Sequence, residues 1–196
     1  VSSLKTNLGL GPNEDLKLLK QRIDKKNITR FRYNQRYQGI PIWGYHILVA
    51  KDAAGNVVGL SGVKVSGIAS DIPASAMAAP ALTAQTALSK MKMRHIANSP
   101  IPDQTWVFEN EVSKKVIFID DISQARLCFL VSFFVDVEQG GQPARPTIIL
   151  DAATQEILKE FDALMHADGI GPGGNEKIGQ YFYGQEFGPF EVAESG

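Results

Sequence analysis

The chain has 196 residues, 44% of them hydrophobic, which is enough to fill the core of one large domain or two small ones. Its 20 basic and 21 acidic residues give a net charge of −1, so composition argues against a nucleic-acid or membrane-surface partner. The longest apolar run, residues 128–135, is far shorter than the roughly 20 residues of a membrane-spanning helix. Cys128 is the single cysteine, which excludes an internal disulfide and a cysteine-rich zinc site. We expect it to be a buried, unreactive side chain.

The first predicted element is a helix at residues 13–23. Asn13 is a favourable N-cap, and Leu16, Leu19 and Ile23 recur at the spacing of one helical face. We therefore expect a surface helix with one apolar stripe.

Residues 30–37 alternate strictly and predict a half-buried strand. One face would carry Phe31, Tyr33, Gln35 and Tyr37, and the other Arg30, Arg32, Asn34 and Arg36. Further strands are expected at 45–51 and 57–65, on either side of a turn at 54–56. Residues 1–68 are thus predicted to form a first subdomain, in which a helix packs on an antiparallel sheet.

Residues 69–82 are rich in Ala, Ser and Pro without an amphipathic period, which predicts a linker. The second subdomain, 83–165, begins with a helix capped by Thr83. Its apolar face would carry Ala84, Ala87, Leu88, Met91 and His95. Strands are expected at 105–112, 114–120, 126–138 and 145–150, and residues 156–164 fit a hairpin strand or a short helix. The predicted fold class is α+β, with two related subdomains.

Four glycines and a proline fall within residues 169–174, a pattern that suggests a phosphate-binding loop. Such a loop needs a helix N-terminus beneath the phosphate. Here the following residues, 175–183, alternate as a strand does. We therefore interpret the run as a connector.

The sequence shows no catalytic constellation. Its histidines, at 46, 95 and 166, form no His-x-x-x-His pair, and we expect His46 and His95 to be packing residues. Asp120 and Asp121 fit a solvated turn, and Asp151 fits a turn cap. Nothing resembles a nucleophile elbow.

Three stretches together resemble a known family. Residues 32–44 resemble the propeptide motif of fungalysin-like and thermolysin-like proteases, Arg-Tyr-x-Gln-x-Tyr-x-Gly-x-Pro-Val-x-Gly, with Ile42 in place of Val. The matching residues are Arg32, Tyr33, Gln35, Tyr37, Gly39, Pro41 and Gly44. Residues 145–158 resemble the end of a PepSY domain, and 171–184 resemble the mature N-terminus of the vibriolysin and pseudolysin branch.

The resemblance implies a propeptide that acts as an intramolecular chaperone and inhibitor. It implies two cystatin-like or PepSY-like subdomains and, at 166–196, the cleavage junction and the first strands of the mature protease. Self-cleavage is expected between His166 and Ala167, after which the carboxylate of His166 is a candidate ligand for the protease's zinc. The partner would be the mature protease domain, and the precursor would be secreted, through the periplasm in a Gram-negative bacterium.

No cofactor is expected in this chain, whereas zinc and calcium are implied in the mature enzyme. The catalytic His-Glu-x-x-His helix would then lie beyond Gly196. Gln155 departs from the family, which commonly has Gly in an Asp-Ala-x-Thr-Gly turn; a positive φ there would cost Gln roughly 1 kcal/mol. The alternatives are a free-standing periplasmic or extracellular inhibitor or binding module, and an independent enzyme.

Overall fold

The computed structural model describes residues 2–99, 105–138, 143–164, 166–169, 171–175, 179–183 and 190–193, the last four ranges as strands of backbone. The helices are α1 (Ser2–Asn7), α2 (Ile68–Asp71), α3 (Ala74–Ala78) and α4 (Ala84–Ala97). Strands of the first half are β1 (Glu14–Ile23), β2 (Thr29–Tyr37), β3 (Ile40–Lys51) and β4 (Val57–Ser61). Those of the second half are β5 (Trp106–Ile119), β6 (Ala125–Val137), β7 (Pro146–Asp151) and β8 (Ile157–Asp162). Four short strands follow: β9 (His166–Gly169), β10 (Gly171–Asn175), β11 (Gly179–Tyr183) and β12 (Phe190–Ala193).

An eight-stranded mixed sheet dominates the fold. Its order is β1-β2-β3-β5-β6-β7-β8, and β4 also pairs with β3. Neighbouring strands are antiparallel except β3 and β5, which are parallel and meet at Ile42 and Ile117. Two antiparallel meanders are therefore joined by one parallel contact. This mixed sheet with few helices is compatible with the predicted α+β class.

The helix predicted at residues 13–23 is wrong, because this segment is β1. It pairs antiparallel with β2 from Glu14 and Tyr37 to Ile23 and Thr29. A register shift between Leu18 and Lys20 interrupts the two-residue alternation, so the leucine spacing imitates a helix. Helix α1, in contrast, packs on strands β1, β2 and β3 through a small hydrophobic cluster. That cluster comprises Leu16, Tyr33, Ile47 and Val49, with Leu4, Leu8, Leu10 and Phe31 around it.

The helix of the second half is confirmed as α4. The Thr83 hydroxyl accepts a hydrogen bond from the Thr86 amide at 3.1 Å, as an N-cap does. Its inner face buries Ala87, Leu88 and Met91 against the largest core cluster. The two strands predicted at 105–112 and 114–120 are one long strand, β5, with a register shift between Glu109 and Val112.

The alternatives left open at 156–164 are resolved as a strand, because β8 pairs antiparallel with β7. The segment predicted as a linker, 69–82, instead carries parts of α2 and all of α3, and Ile72, Met77 and Leu82 are buried in the core. These apolar residues, each five positions apart, do not fit the 3.6-residue period of one long helix, yet they pack in the same core as residues of the sheet. The subdomain boundaries at 68 and 83 stay a prediction.

The glycine-rich run predicted as a connector forms β10, which pairs antiparallel with β11, the strand predicted to follow it. Glycine can adopt an extended backbone, so a glycine-rich segment can still form a strand when it pairs with a neighbouring strand. Among the described helices, none combines the length and the apolar character required to cross a membrane.

Candidate functional site

The family-like residues of the sequence lie on the β2–β3 hairpin. Gln38 and Gly39 form its two-residue turn, and both have positive φ, 47° and 78°. A turn with two positive φ values matches the twist of a hairpin, and glycine adopts it without strain. Pro41 follows as the partner of Arg36 at the start of β3, where the lack of an N–H is tolerated.

A large bulge interrupts the hairpin beyond Pro41. Asn34 pairs with His46 and Arg36 with Pro41, so the four residues 42–45 lie opposite Gln35. We call residues 42–45 the motif bulge. Gly44 within it has a φ of 80°, which explains the glycine at this motif position.

The motif bulge connects the two halves of the molecule. It carries Ile42, which is fully buried and is the residue of β3 that pairs with Ile117 of β5. The side-chain amide of Asn34 donates to the carbonyls of Ile42 at 3.0 Å and of Tyr45 at 3.2 Å. These bonds give the two carbonyls a partner on β2 where the β2–β3 ladder is interrupted.

Three motif residues on one face of β2 span both cores. Tyr33 lies in the small cluster beneath α1, and Tyr37 lies in the largest core cluster. Gln35, between them, is fully buried. Its amide group donates to the Val65 carbonyl at 2.8 Å and accepts from the Val65 amide at 3.0 Å. Burial raises the pKa of the Tyr33 hydroxyl, which stays neutral.

Arg32 lies on the opposite, exposed face of the sheet. Its guanidinium is 3.2 Å from Nδ1 of His46, so the imidazole accepts a hydrogen bond there. Burial and the neighbouring Arg32 charge lower the pKa of His46. Further along β2, Arg36 forms two hydrogen bonds with the Asp15 carboxylate, at 2.8 and 2.5 Å. These residues tie β1, β2 and β3 together.

The remaining candidates are structural in character. His95 packs edge-on against Trp106 and Phe133, at ring-centroid distances of 5.5 and 5.9 Å. Cys128 is fully buried, and burial raises the pKa of its thiol to about 12, so it is not a nucleophile at neutral pH.

The aspartates at the strand ends also hold turns. Asp151 accepts from the amides of Ala153 and Thr154, as predicted for a turn cap. Asp120 accepts from Arg126 and from turn amides. Within the described ranges, no group of three or more His, Cys, Asp or Glu residues is arranged to hold a metal ion.

The predicted junction residues begin β9. His166 pairs with Ala193 and Ala167 with Val192 of β12. Just before them the chain is fixed to β7 and its flank: the Asp162 carboxylate accepts from the amides of Arg145 and Leu164, each at 2.8 Å. The Ala163 amide also donates to the Arg145 carbonyl at 2.9 Å. Met165 lies outside the described residues, as do parts of 166–196.

Sequence patterns alone missed Asn34 and Val65. Asn34 occupies a variable position of the motif, and strand alternation predicts it on the polar face. It is nevertheless only 8% exposed, and its side chain bonds carbonyls of the motif bulge. Val65 bonds Gln35 through its backbone N–H and C=O, which every residue except proline has, so its side-chain type does not indicate this role. The one available signal was a polar Gln35 on an otherwise aromatic face.

The hairpin lies within a segment that is similar to a known family motif. Residues 14–62 match the Fungalysin/Thermolysin Propeptide Motif. The chain is 35% identical over 170 residues to the neutral protease of Vibrio proteolyticus, covering 86% of this chain and 27% of that protein. It is 32% identical over 171 residues to the hemagglutinin/proteinase of Vibrio cholerae, again covering 86% and 27%. The chain thus spans about a quarter of the length of these relatives.

Among solved structures, the C-terminal domain of Bacillus megaterium YpeB is similar with a TM-score of 0.34 and 15% identity, covering 82% of this chain and 61% of that one.

Proposed function

We propose that this chain, a propeptide of the thermolysin-like metalloproteases in their vibriolysin branch, assists the folding of the protease that follows it and then inhibits it. The observation that carries the proposal is the propeptide motif at residues 14–62. The motif residues build the hairpin, bulge and buried amide that join the two meanders, so the motif is explained by the architecture it holds together. Catalysis of peptide-bond cleavage would be carried out by the protease portion of the precursor.

The folding role follows from the cost of pairing strands that are distant in sequence. Such pairing is slow and leaves strand edges exposed, so a β-rich protease domain benefits from a partner surface that is already folded. This chain forms its extended sheet largely from hairpins between neighbouring strands, which close short loops. It is therefore suited to fold first.

The inhibitory role follows from the position of the junction. A protease cleft that binds an extended chain also binds a flanking segment held at high effective concentration. The segment expected in the cleft is Asp162 to Ala167. The Asp162 carboxylate accepts hydrogen bonds from the amides of Arg145 and Leu164, so the part of this segment that enters the cleft would start after Leu164. The bond between His166 and Ala167 would then be cut close to the end of β8, and β9 would have to leave β12 to enter the cleft.

After cleavage, the propeptide would stay bound as a product-like inhibitor. The new carboxylate of His166 would be a zinc ligand, since zinc accepts oxygen donors. Zinc, and calcium as in the implied family, would belong to the mature enzyme, and the precursor would be secreted. The alternative, a free-standing inhibitor or binding module, predicts that the reading frame ends without a downstream His-Glu-x-x-His.

The decisive experiment is to express the precursor and map the mature N-terminus by mass spectrometry. We expect a start at Ala167; a start more than a few residues away refutes the junction. Ala167→Asp should slow self-cleavage, because a charge would enter a pocket expected to be apolar. Ala54→Asp, in an exposed turn, is the matched control. A precursor that lacks residues 1–164 should give little active protease on refolding, and equal yields would refute the chaperone role.

A further inference from the structure

The near-zero net charge of the chain conceals two oppositely charged parts. Residues 1–64 contain 11 Lys and Arg against 4 Asp and Glu, a net charge of +7. The other residues, 65–196, contain 9 against 17, a net charge of −8. Net charge averaged over the chain therefore says little about either surface.

Four of the basic residues cluster on the outer face of the first meander. Antiparallel pairing sets Lys20 of β1 opposite Arg32 of β2, and Arg22 opposite Arg30. All four are exposed. We call them the basic face. They border a shallow groove of about 370 Å³ whose floor includes Leu48, Ala50 and Gly59, with Leu48 46% exposed.

The positive charge of the basic face is mostly uncompensated. Arg30 contacts the Asp24 carboxylate at 3.2 Å. Within the part of the chain that the structure describes, no carboxylate forms a salt bridge with Lys20, Arg22 or Arg32. Arg32 instead contacts a histidine, which is no counterion when neutral. Directly opposed like charges destabilise a strand pair, by up to roughly 1 kcal/mol. A fold that keeps two such pairs side by side retains an unfavourable arrangement of the kind found at functional surfaces.

We propose that the basic face binds an acidic surface of the protease portion of the same precursor. This proposal rests on the function proposed above, which supplies the partner. Charge complementarity supports it: residues 167–196, which are expected to begin the mature protease, contain five Asp and Glu against one Lys. Complementary charge accelerates encounter and fixes the orientation of docking.

The groove explains why the occupant is a protein surface. An apolar floor within a charged rim matches the usual anatomy of a protein interface, in which apolar contacts are surrounded by polar ones. Phosphate backbones and lipid headgroups would use the charges and leave the exposed Leu48 without a partner. Binding of those two classes is therefore an outcome that counts against the proposal.

The test compares two precursor variants with the same change in charge. Lys20→Glu/Arg22→Glu reverses two charges of the basic face, whereas Lys25→Glu/Lys26→Glu reverses two exposed charges in the β1–β2 turn. The face variant should fold at least as well as the wild type, because its new carboxylates would lie opposite Arg32 and Arg30. Loss of binding in this variant could then not be ascribed to unfolding, and thermal unfolding of each propeptide checks this point.

The measured quantity is the dissociation constant of the cleaved propeptide from its protease, as a function of salt concentration. We expect roughly tenfold weaker binding at low salt for the face variant, with a shallower salt dependence, and no more than about a twofold change for the turn variant. Equal affinities and equal salt slopes for the two variants would overturn the proposal. A second result would also overturn it: the wild-type chain binds DNA or anionic vesicles, or associates with itself, and the face variant loses that binding while its affinity for the protease is unchanged.

Failure of the proposed function would look different. If the wild-type propeptide neither inhibited the protease nor remained bound to it at any salt concentration, the proposed inhibitory function would be refuted. The proposed docking surface would be refuted with it. If the wild type bound and inhibited while the face variant did so equally well, the basic face alone would be excluded.

Discussion

The side-chain amide of Gln35 bonds both backbone groups of Val65, a residue 30 positions further along the chain. This contact fixes the segment after β4 against the middle of β2, at the level where the motif bulge interrupts the β2–β3 ladder. Gln35 therefore links the hairpin that carries the family motif to the chain that leads into α2 and the larger core.

Replacement of Gln35 by Leu should destabilise the fold by roughly 2–4 kcal/mol, because the Val65 N–H and C=O would lose their partners in a partly buried site. Urea unfolding followed by circular dichroism measures the effect. Gln21→Leu, at an exposed position on β1, is the control and should change stability by no more than about 0.5 kcal/mol. Similar effects of the two substitutions would contradict the role assigned to Gln35.

Gly62→Ala should be more damaging than an ordinary substitution of a glycine with positive φ. Gly62 has a φ of 114°, and a Cβ there would lie 2.2 Å from the His46 carbonyl oxygen. We expect a loss above about 2 kcal/mol, since strain and a backbone clash add. Gly55→Ala separates the two causes, because Gly55 has a φ of 87° but open space around it; its cost should be near 1 kcal/mol. Thermal unfolding of both variants measures the difference, and equal losses would rule out the clash.

Gln155→Gly should stabilise the protein. Gln155 has a φ of 61°, the conformation anticipated from its place in an Asp-Ala-x-Thr-Gly type of turn. Relief of this strain should raise the free energy of unfolding by up to roughly 1 kcal/mol. The glycine variant also loses the exposed hydrogen bond from Lys90 to Gln155, which makes the gain smaller. Lys90→Ala in both backgrounds isolates that bond. A lower denaturant midpoint for the glycine variant would refute the strain argument.

His95 should contribute to loss of stability in mild acid. Burial lowers its pKa from 6.5, although Asp162 and Glu160 oppose this effect, and Arg94 adds to it. The unfolded chain then binds a proton more readily than the folded one, so this contribution to stability is fully present above about pH 6.5 and declines below it. His95→Phe keeps an aromatic ring beside Trp106 and Phe133 and should flatten the decline. Urea midpoints measured at about pH 7.5 and about pH 5.5 test this. If the urea midpoint fell equally with pH in the variant and the wild type, His95 would not cause the decline. Another group would then be responsible, for example His46, whose pKa is also lowered.

Most of the strands could be predicted from the sequence, because alternation and turn residues are local properties. The strand at β2, the capped helix α4 and the buried Cys128 follow from patterns of a few residues. The segment now assigned to β1 could not be predicted, since its leucines fit a helical stripe. Pairing with β2 decided the structure of that segment, and a helix would have left one side of β2 without hydrogen-bond partners.

The family motif was visible in the sequence, but the reason for it was not. Its residue types suit a tight turn at Gly39 and a positive φ at Gly44, since such backbone conformations depend on neighbouring residues alone. Only the tertiary structure decided that Gln35 bonds Val65, that Asn34 supports the motif bulge and that Ile42 meets Ile117. It also gathered Lys20, Arg22, Arg30 and Arg32 on one face. Those contacts join residues far apart in the chain, and the register that creates them is set by how the whole sheet packs.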